Sequence, residues 1–140
     1  MRARLILTIG LCGFLLACTA WAKPKTSEKA AVNQAKAWLG LVDQGKYASS
    51  WNEAAAYFKQ AVTKKNWEQS MLGVRKPLGK ILSRNLKSST FATTLPGAPD
   101  GQYVVIQFET SFEHKKAAIE TVTPMLDKDG KWRVAGYFIK

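Results

Sequence analysis

Chemistry needs a nucleophile, a proton carrier or a charged anchor held at a fixed spacing, and few residues of this 140-residue chain qualify. His114 is the only histidine, and it stands beside Lys115 and Lys116 at a turn expected between two strands. With no second histidine and no accompanying cysteine or serine motif, it makes neither a zinc site nor a catalytic dyad, and an exposed loop side chain is expected. The ten carboxylates are scattered. The close pair Asp127 and Asp129 falls in a turn, where aspartate bonds its local backbone, and calcium requires a denser oxygen cluster. Neither a metal nor another cofactor is expected.

Arg84 and Glu120 offer one sharper idea. If Val104, Ile106, Phe108 and Phe112 face a helical layer, and Val122, Leu126, Trp132, Val134 and Phe138 do so on later strands, Glu120 shares their parity and points inward. Arg84, in step with Leu86, does the same. A buried carboxylate and guanidinium are costly to desolvate, so each needs a partner. Bonded to each other they are structure. Set apart at the mouth of a curved sheet, they become the polar fixtures of a ligand pocket lined by Trp51, Phe108 and Phe138. A third alternative is a misassigned parity, because a one-residue slip reverses every side chain. The preferred expectation is a non-enzymatic module that holds a small ligand or a protein partner. The alternative is an isomerase-like pocket enzyme with Glu120 as general base and Arg84 as anion anchor.

The elements that must position these residues follow from hydrophobic spacing. Ala31, Ala35, Trp38, Leu39 and Val42 recur at three- and four-residue intervals, predicting a helix from near Ser27 to before Gly45. Tyr47, Trp51, Ala54, Ala55, Phe58 and Val62 continue that spacing and predict a second, unbroken helix. Asn66 with Gln69 reads as a capping box for a third helix, its inward side holding Trp67, Met71 and Val74, and Pro77 stops it.

Beyond Gly79 the period changes to two. Residues 103–112, 119–126 and 131–139 are rich in β-branched and aromatic residues and predict strands, with a weaker one over 81–94. Gly130 suits a tight hairpin between the last two, and 95–101 is a loop. The expectation is an α+β fold: three N-terminal helices packed on a curved four-stranded antiparallel sheet.

Arg2 and Arg4, the apolar run 5–16 and Ala20-Trp21-Ala22 have the order of a secretory signal cleaved after Ala22, leaving residues 23–140 as a single domain. A dozen apolar residues rise about 18 Å, short of the ~30 Å hydrocarbon layer, so no membrane anchor is expected there and none in the mature chain. Export, most simply to the periplasm, is the expectation. Leu15-Leu16-Ala17-Cys18 also resembles a lipobox, and a lipoprotein anchored through Cys18 is the alternative. Ordinary cleavage removes both cysteines, so stability must come from packing without disulfides.

The full chain carries a net +11, and loss of Arg2 and Arg4 leaves 19 basic against 10 acidic side chains, a net +9. Anionic partners are favoured, and outside the cytoplasm these are envelope surfaces or acidic proteins rather than nucleic acid. Lys64-Lys65, Arg75-Lys76 with Lys80, and Lys115-Lys116 are the only basic concentrations. Trp38, Trp51, Trp67 and Trp132 fall on predicted inward faces, where core packing explains them better than base stacking.

Several stretches resemble the family catalogued as domain of unknown function 4019. They are Trp38-Leu39, Val42-Asp43, Gly45, Tyr47 and Ser50-Trp51; Arg75-Lys76-Pro77-Leu78-Gly79 and Arg84; Leu95-Pro96-Gly97, Pro99-Asp100-Gly101 and Tyr103; Glu120-Thr121-Val122; and residues 129–137. The resemblance implies an exported bacterial domain of this size and brings no activity or catalytic residue. The order of elements adds an analogy to cystatin-like and nuclear transport factor 2-like cones, in which a sheet curls around a long helix to form a pocket.

Overall fold

A computed structural model describes residues 25–140. The expected signal over 1–22, its cleavage point and Cys18 lie outside the described residues. The chain forms α1 (Lys25–Asp43), α2 (Tyr47–Asn52), α3 (Ala56–Ala61), α4 (Lys64–Val74) and a 3₁₀ turn (Lys76–Leu78). Four strands follow: β1 (Ile81–Ala92), β2 (Tyr103–Phe112), β3 (Lys115–Leu126) and β4 (Trp132–Ile139). The strands are an antiparallel meander in the order β1-β2-β3-β4. One sheet face is covered by helices, the α+β arrangement expected from the change of period.

The α1 stripe behaves as its spacing requires: Ala31, Ala35, Trp38, Leu39 and Val42 are all buried against the sheet. Opposite them lie Val104, Ile106, Phe108, Val122 and Val134. Each such aliphatic or aromatic side chain taken out of water contributes roughly 1.5–3 kcal/mol, which is what fixes α1 across all four strands.

The expected second helix is two. At Ala55 the backbone turns extended, with φ −61° and ψ 152°, and its N–H donates to the Val134 carbonyl on β4 at 2.8 Å. Ala54 and Ala55 are wholly buried, and their small side chains let the backbone close on the sheet. A hydrogen bond to the sheet thus replaces the next helical turn, which periodicity alone cannot foresee. The Trp51 indole N–H donates to the Val62 carbonyl at 2.8 Å and ties the two short helices together.

The third expected helix begins earlier than its predicted cap. Thr63 is the N-cap, and its hydroxyl accepts from the Asn66 backbone N–H at 3.2 Å. Trp67 and Met71 are buried, but Val74 is 52% exposed, a correction to the predicted inward set. It shares the Trp67 face but is the last residue of α4, beyond the reach of the buried cluster.

Phe138 is a second correction. Residues 132 and 134 on β4 pair with Leu126 and Pro124, whereas Gly136, Tyr137 and Phe138 pair with Thr123, Val122 and Thr121. Ala135 is therefore an extra residue, a bulge that reverses the alternation beyond it. Tyr137 turns inward, and Phe138 is 58% exposed on the other face.

Candidate functional site

Strand parity carries Glu120 to the inner face of β3, where it is wholly buried. Its Oε1 accepts from Arg84 Nε at 2.7 Å and from the Thr110 hydroxyl at 2.6 Å. Its Oε2 accepts from Arg84 Nη2 at 3.2 Å and from the Tyr137 hydroxyl. The register explains the convergence: Arg84 on β1 is opposite Thr110 on β2, and Phe108 beside it is opposite Glu120 on β3. The bulge at Ala135 delivers Tyr137 from β4.

Arg84 reaches onward to the end of α1. Its Nη1 donates to Asp43 Oδ2 at 2.7 Å and its Nη2 to Asp43 Oδ1 at 3.0 Å. Asp43 closes a helix whose last turn holds no basic residue. A carboxylate there opposes the helix dipole and needs cations from elsewhere. Arg75 supplies the second, donating from Nη2 to Asp43 Oδ1 at 3.2 Å. Arg75 Nη1 also donates to the Gly79 carbonyl at 2.6 Å, and its guanidinium lies 4.5 Å over the Phe112 ring. Gly79 has φ +76°, and an added Cβ would come within 3.0 Å of Glu113 Cβ and His114 Cδ2, so glycine is required at this junction.

The four charges alternate, Glu120, Arg84, Asp43, Arg75, and sum to zero. Burial pushes against the charge on Arg84, but hydrogen bonds to Asp43 and Glu120 outweigh it and hold the guanidinium above the ordinary arginine range. Burial, then the Glu120 charge and hydrogen bond, push Tyr137 well above the ordinary phenol range, so it is a fixed neutral donor. A carboxylate offers about four lone-pair positions, and Glu120 has four donors on them. As arranged, the group binds itself.

The structure therefore joins Arg84 directly to Glu120, with Phe108 their neighbour in the core. Trp51 and Phe138 are elsewhere. Trp51 is half-buried on α2 with the Lys59 and Lys64 ammonium groups 5.8 and 5.6 Å from its ring centre, and Phe138 is on the opposite sheet face. His114 is exposed in the β2–β3 turn. Among the described residues, no group of three or more His, Cys, Asp or Glu side chains is placed to hold a metal. Asp43, Arg75, Thr110 and Tyr137 were missing from the sequence reading of the site. The signal for Asp43 was present in its place at a helix C-terminus, and Tyr137 was hidden by the bulge.

Next to the Asp43–Arg75 end, a cleft of about 690 Å³ opens between residues 43–49, Glu68 and Leu72 of α4, Arg75 and Lys76, and Gly79, Lys80 and Glu113. Neither Arg84 nor Glu120 lines it. Comparison with known proteins gives one result. A family model described as Protein of unknown function (DUF4019) matches residues 34–137, a span that encloses the network from Asp43 to Tyr137. No curated protein and no solved structure matches the chain.

Proposed function

The chain belongs to the DUF4019 family of proteins of unknown function, and from that premise we propose that it is a non-enzymatic binding module of the bacterial cell envelope, taking a small ligand or a protein partner. The observation that carries the reading is the saturation of Glu120. A general base must present a free lone pair to a substrate proton, and each oxygen of this carboxylate already accepts two donors, out of contact with water. Arg84 is likewise committed, with four N–H bonds divided between two carboxylates. The isomerase-like alternative, with Glu120 as base and Arg84 as anchor, would require this network to come apart on substrate binding.

The envelope placement rests on the signal-like order of residues 1–22, with lipid anchoring through Cys18 as its rival. The net +9 of residues 23–140 favours an anionic partner there. Among the described residues no helix is long and apolar enough to cross a membrane. Helices followed by a meander also support the analogy to cystatin-like and nuclear transport factor 2-like cones.

The test is native mass spectrometry of the protein expressed with its N-terminus intact in a bacterial host and recovered from the envelope. A chain beginning at Lys23 that carries a stoichiometric small molecule or protein supports the reading, and one beginning at a lipidated Cys18 selects the anchored form. Recovery from the cytoplasm alone defeats the envelope placement. Turnover of a carbonyl substrate that disappears in a folded Glu120→Gln variant defeats the non-enzymatic reading.

A further inference from the structure

We propose that the cleft between the end of α1, α4 and the start of β1 binds an organic anion with a single carboxylate or phosphate head and an apolar body. The inference deepens the binding-module reading and rests on it. At about 690 Å³ the cleft is within the range of small-molecule sites, roughly 300–1,000 Å³.

Three cations converge on it. Lys46, Lys76 and Lys80 line the cleft, and among the described residues none of them is in an ion pair. Arg75 forms part of the same wall. Its guanidinium is only 3% exposed, and its buried Nε–H has no partner. That N–H is sealed from the cleft, so the lysines carry the positive charge a ligand would meet. Asp43 does not satisfy the lysines, because its oxygens are taken by Arg75 and Arg84. Glu68 and Glu113 line the cleft too, so it disfavours multiply charged ligands and suits one anionic head. The apolar body would lie against Leu72, which is 50% exposed, and Tyr47. A half-exposed leucine beside unpaired lysines suits an amphiphilic molecule better than an inorganic ion.

Octanoate, inorganic phosphate and octylamine, titrated into the full chain and followed by backbone amide NMR, test this. Octanoate should give saturable shifts confined to residues 43–49, 68–72, 75–80 and 113, and phosphate should bind there at least tenfold more weakly. Octylamine should not bind. A Lys76→Ala/Lys80→Ala variant should weaken octanoate about tenfold, whereas Lys115→Ala/Lys116→Ala should leave it unchanged. Leu72→Ser should weaken octanoate and spare phosphate, and Glu113→Gln should tighten both. Octanoate shifts spread over the basic surface, equal binding of octylamine, or indifference to Lys76 and Lys80 would overturn the site. Absence of octanoate binding to a folded chain defeats the cleft alone, since the wider reading is judged on what accompanies the protein from the envelope.

Discussion

The chain uses one device twice, in opposite surroundings. Arg84 is clamped between Glu120 and Asp43 under the helices, with side chains 13%, 0% and 16% exposed. Arg133 is clamped between Asp127 and Asp129 on the β3–β4 hairpin, with Arg133 Nη1 2.9 Å from both carboxylates and Nη2 2.7 Å from Asp129. Asp129 is nearly half exposed. Bond lengths do not separate the two clusters. Water does, at one member of each: Glu120 is wholly buried and depends on its partners, whereas Asp129 is solvated and screened, with Asp127 at 14% exposure as covered as Asp43. The same residue types therefore report a required network in one place and a surface decoration in the other.

The largest break in that comparison is expected from Glu120→Ala. It removes the acceptor of four donors, leaving the Thr110 and Tyr137 hydroxyls unmet and Arg84 with Asp43 alone. The loss should be about 3–5 kcal/mol, measured by urea denaturation. Arg84→Met alone should cost a similar amount, because Glu120 is then a buried charge without its counter-ion. In the double variant Arg84→Met/Glu120→Leu neither charge is stranded, and the total should fall short of the summed single losses by about 1–3 kcal/mol. Strict additivity would show that the two residues do not act as a unit. Arg133→Ala should shift the denaturation midpoint far less than Glu120→Ala, because Arg133 and Asp129 stay in contact with water and only Asp127 loses a partner under cover.

How much of this was legible beforehand depends on whether the cause was local. Residues 103–112 form a strand with the predicted bounds, because alternation and β-branching along one segment suffice. Glu120 was placed inward by the same alternation, and Arg84 by its step with Leu86, which shares that face but is 48% exposed on the edge strand β1. Phe138 was not legible, since the bulge at Ala135 arises from pairing with β3 and leaves only a Gly136 as its mark. Nor was the break at Ala54–Ala55, where both residues favour helix and a β4 carbonyl decides otherwise. Arg75 reads as part of a basic surface run and is in fact buried, because only the fold brings it to Asp43 and Phe112. The cleft was missed for that reason too: its walls come from three separate stretches of chain, residues 43–49, 68–80 and 113.

A smaller effect sharpens the contrast through one hydroxyl. Tyr137→Phe removes a donor to a buried carboxylate and should cost about 1.5–3 kcal/mol. It also changes the alkaline limb. The folded-state ionisation of Tyr137 is raised from an ordinary 10.0 by burial and by Glu120, so the unfolded chain releases this proton at a pH where the folded one retains it. Its contribution is complete below pH 10.0 and declines as pH rises above it, so the wild-type chain should lose stability there. The phenylalanine variant should show a shallower decline. Some slope should persist, because burial raises Tyr103 in the same direction.

The least effect belongs to the exposed cluster, and its sign is opposite. A hydrogen bond from Arg133 is the main cause that lowers Asp129 from 3.8 to about 2. The depressed carboxyl contributes stability above pH 3.8, and the contribution is lost as pH falls through about 2. Since Asp129 is solvated, the quantity to measure is its own titration, followed by carboxyl NMR, rather than global unfolding. Arg133→Ala should return the midpoint towards 3.8. So should 1 M salt, where the screening length is about 3 Å. The same salt should leave the stability difference between wild type and Glu120→Ala largely intact, because ions do not enter the space between Glu120 and Arg84. If salt erases that difference as readily as it restores Asp129, the buried network is exchanging with water, and the distinction between the two arginine clamps fails.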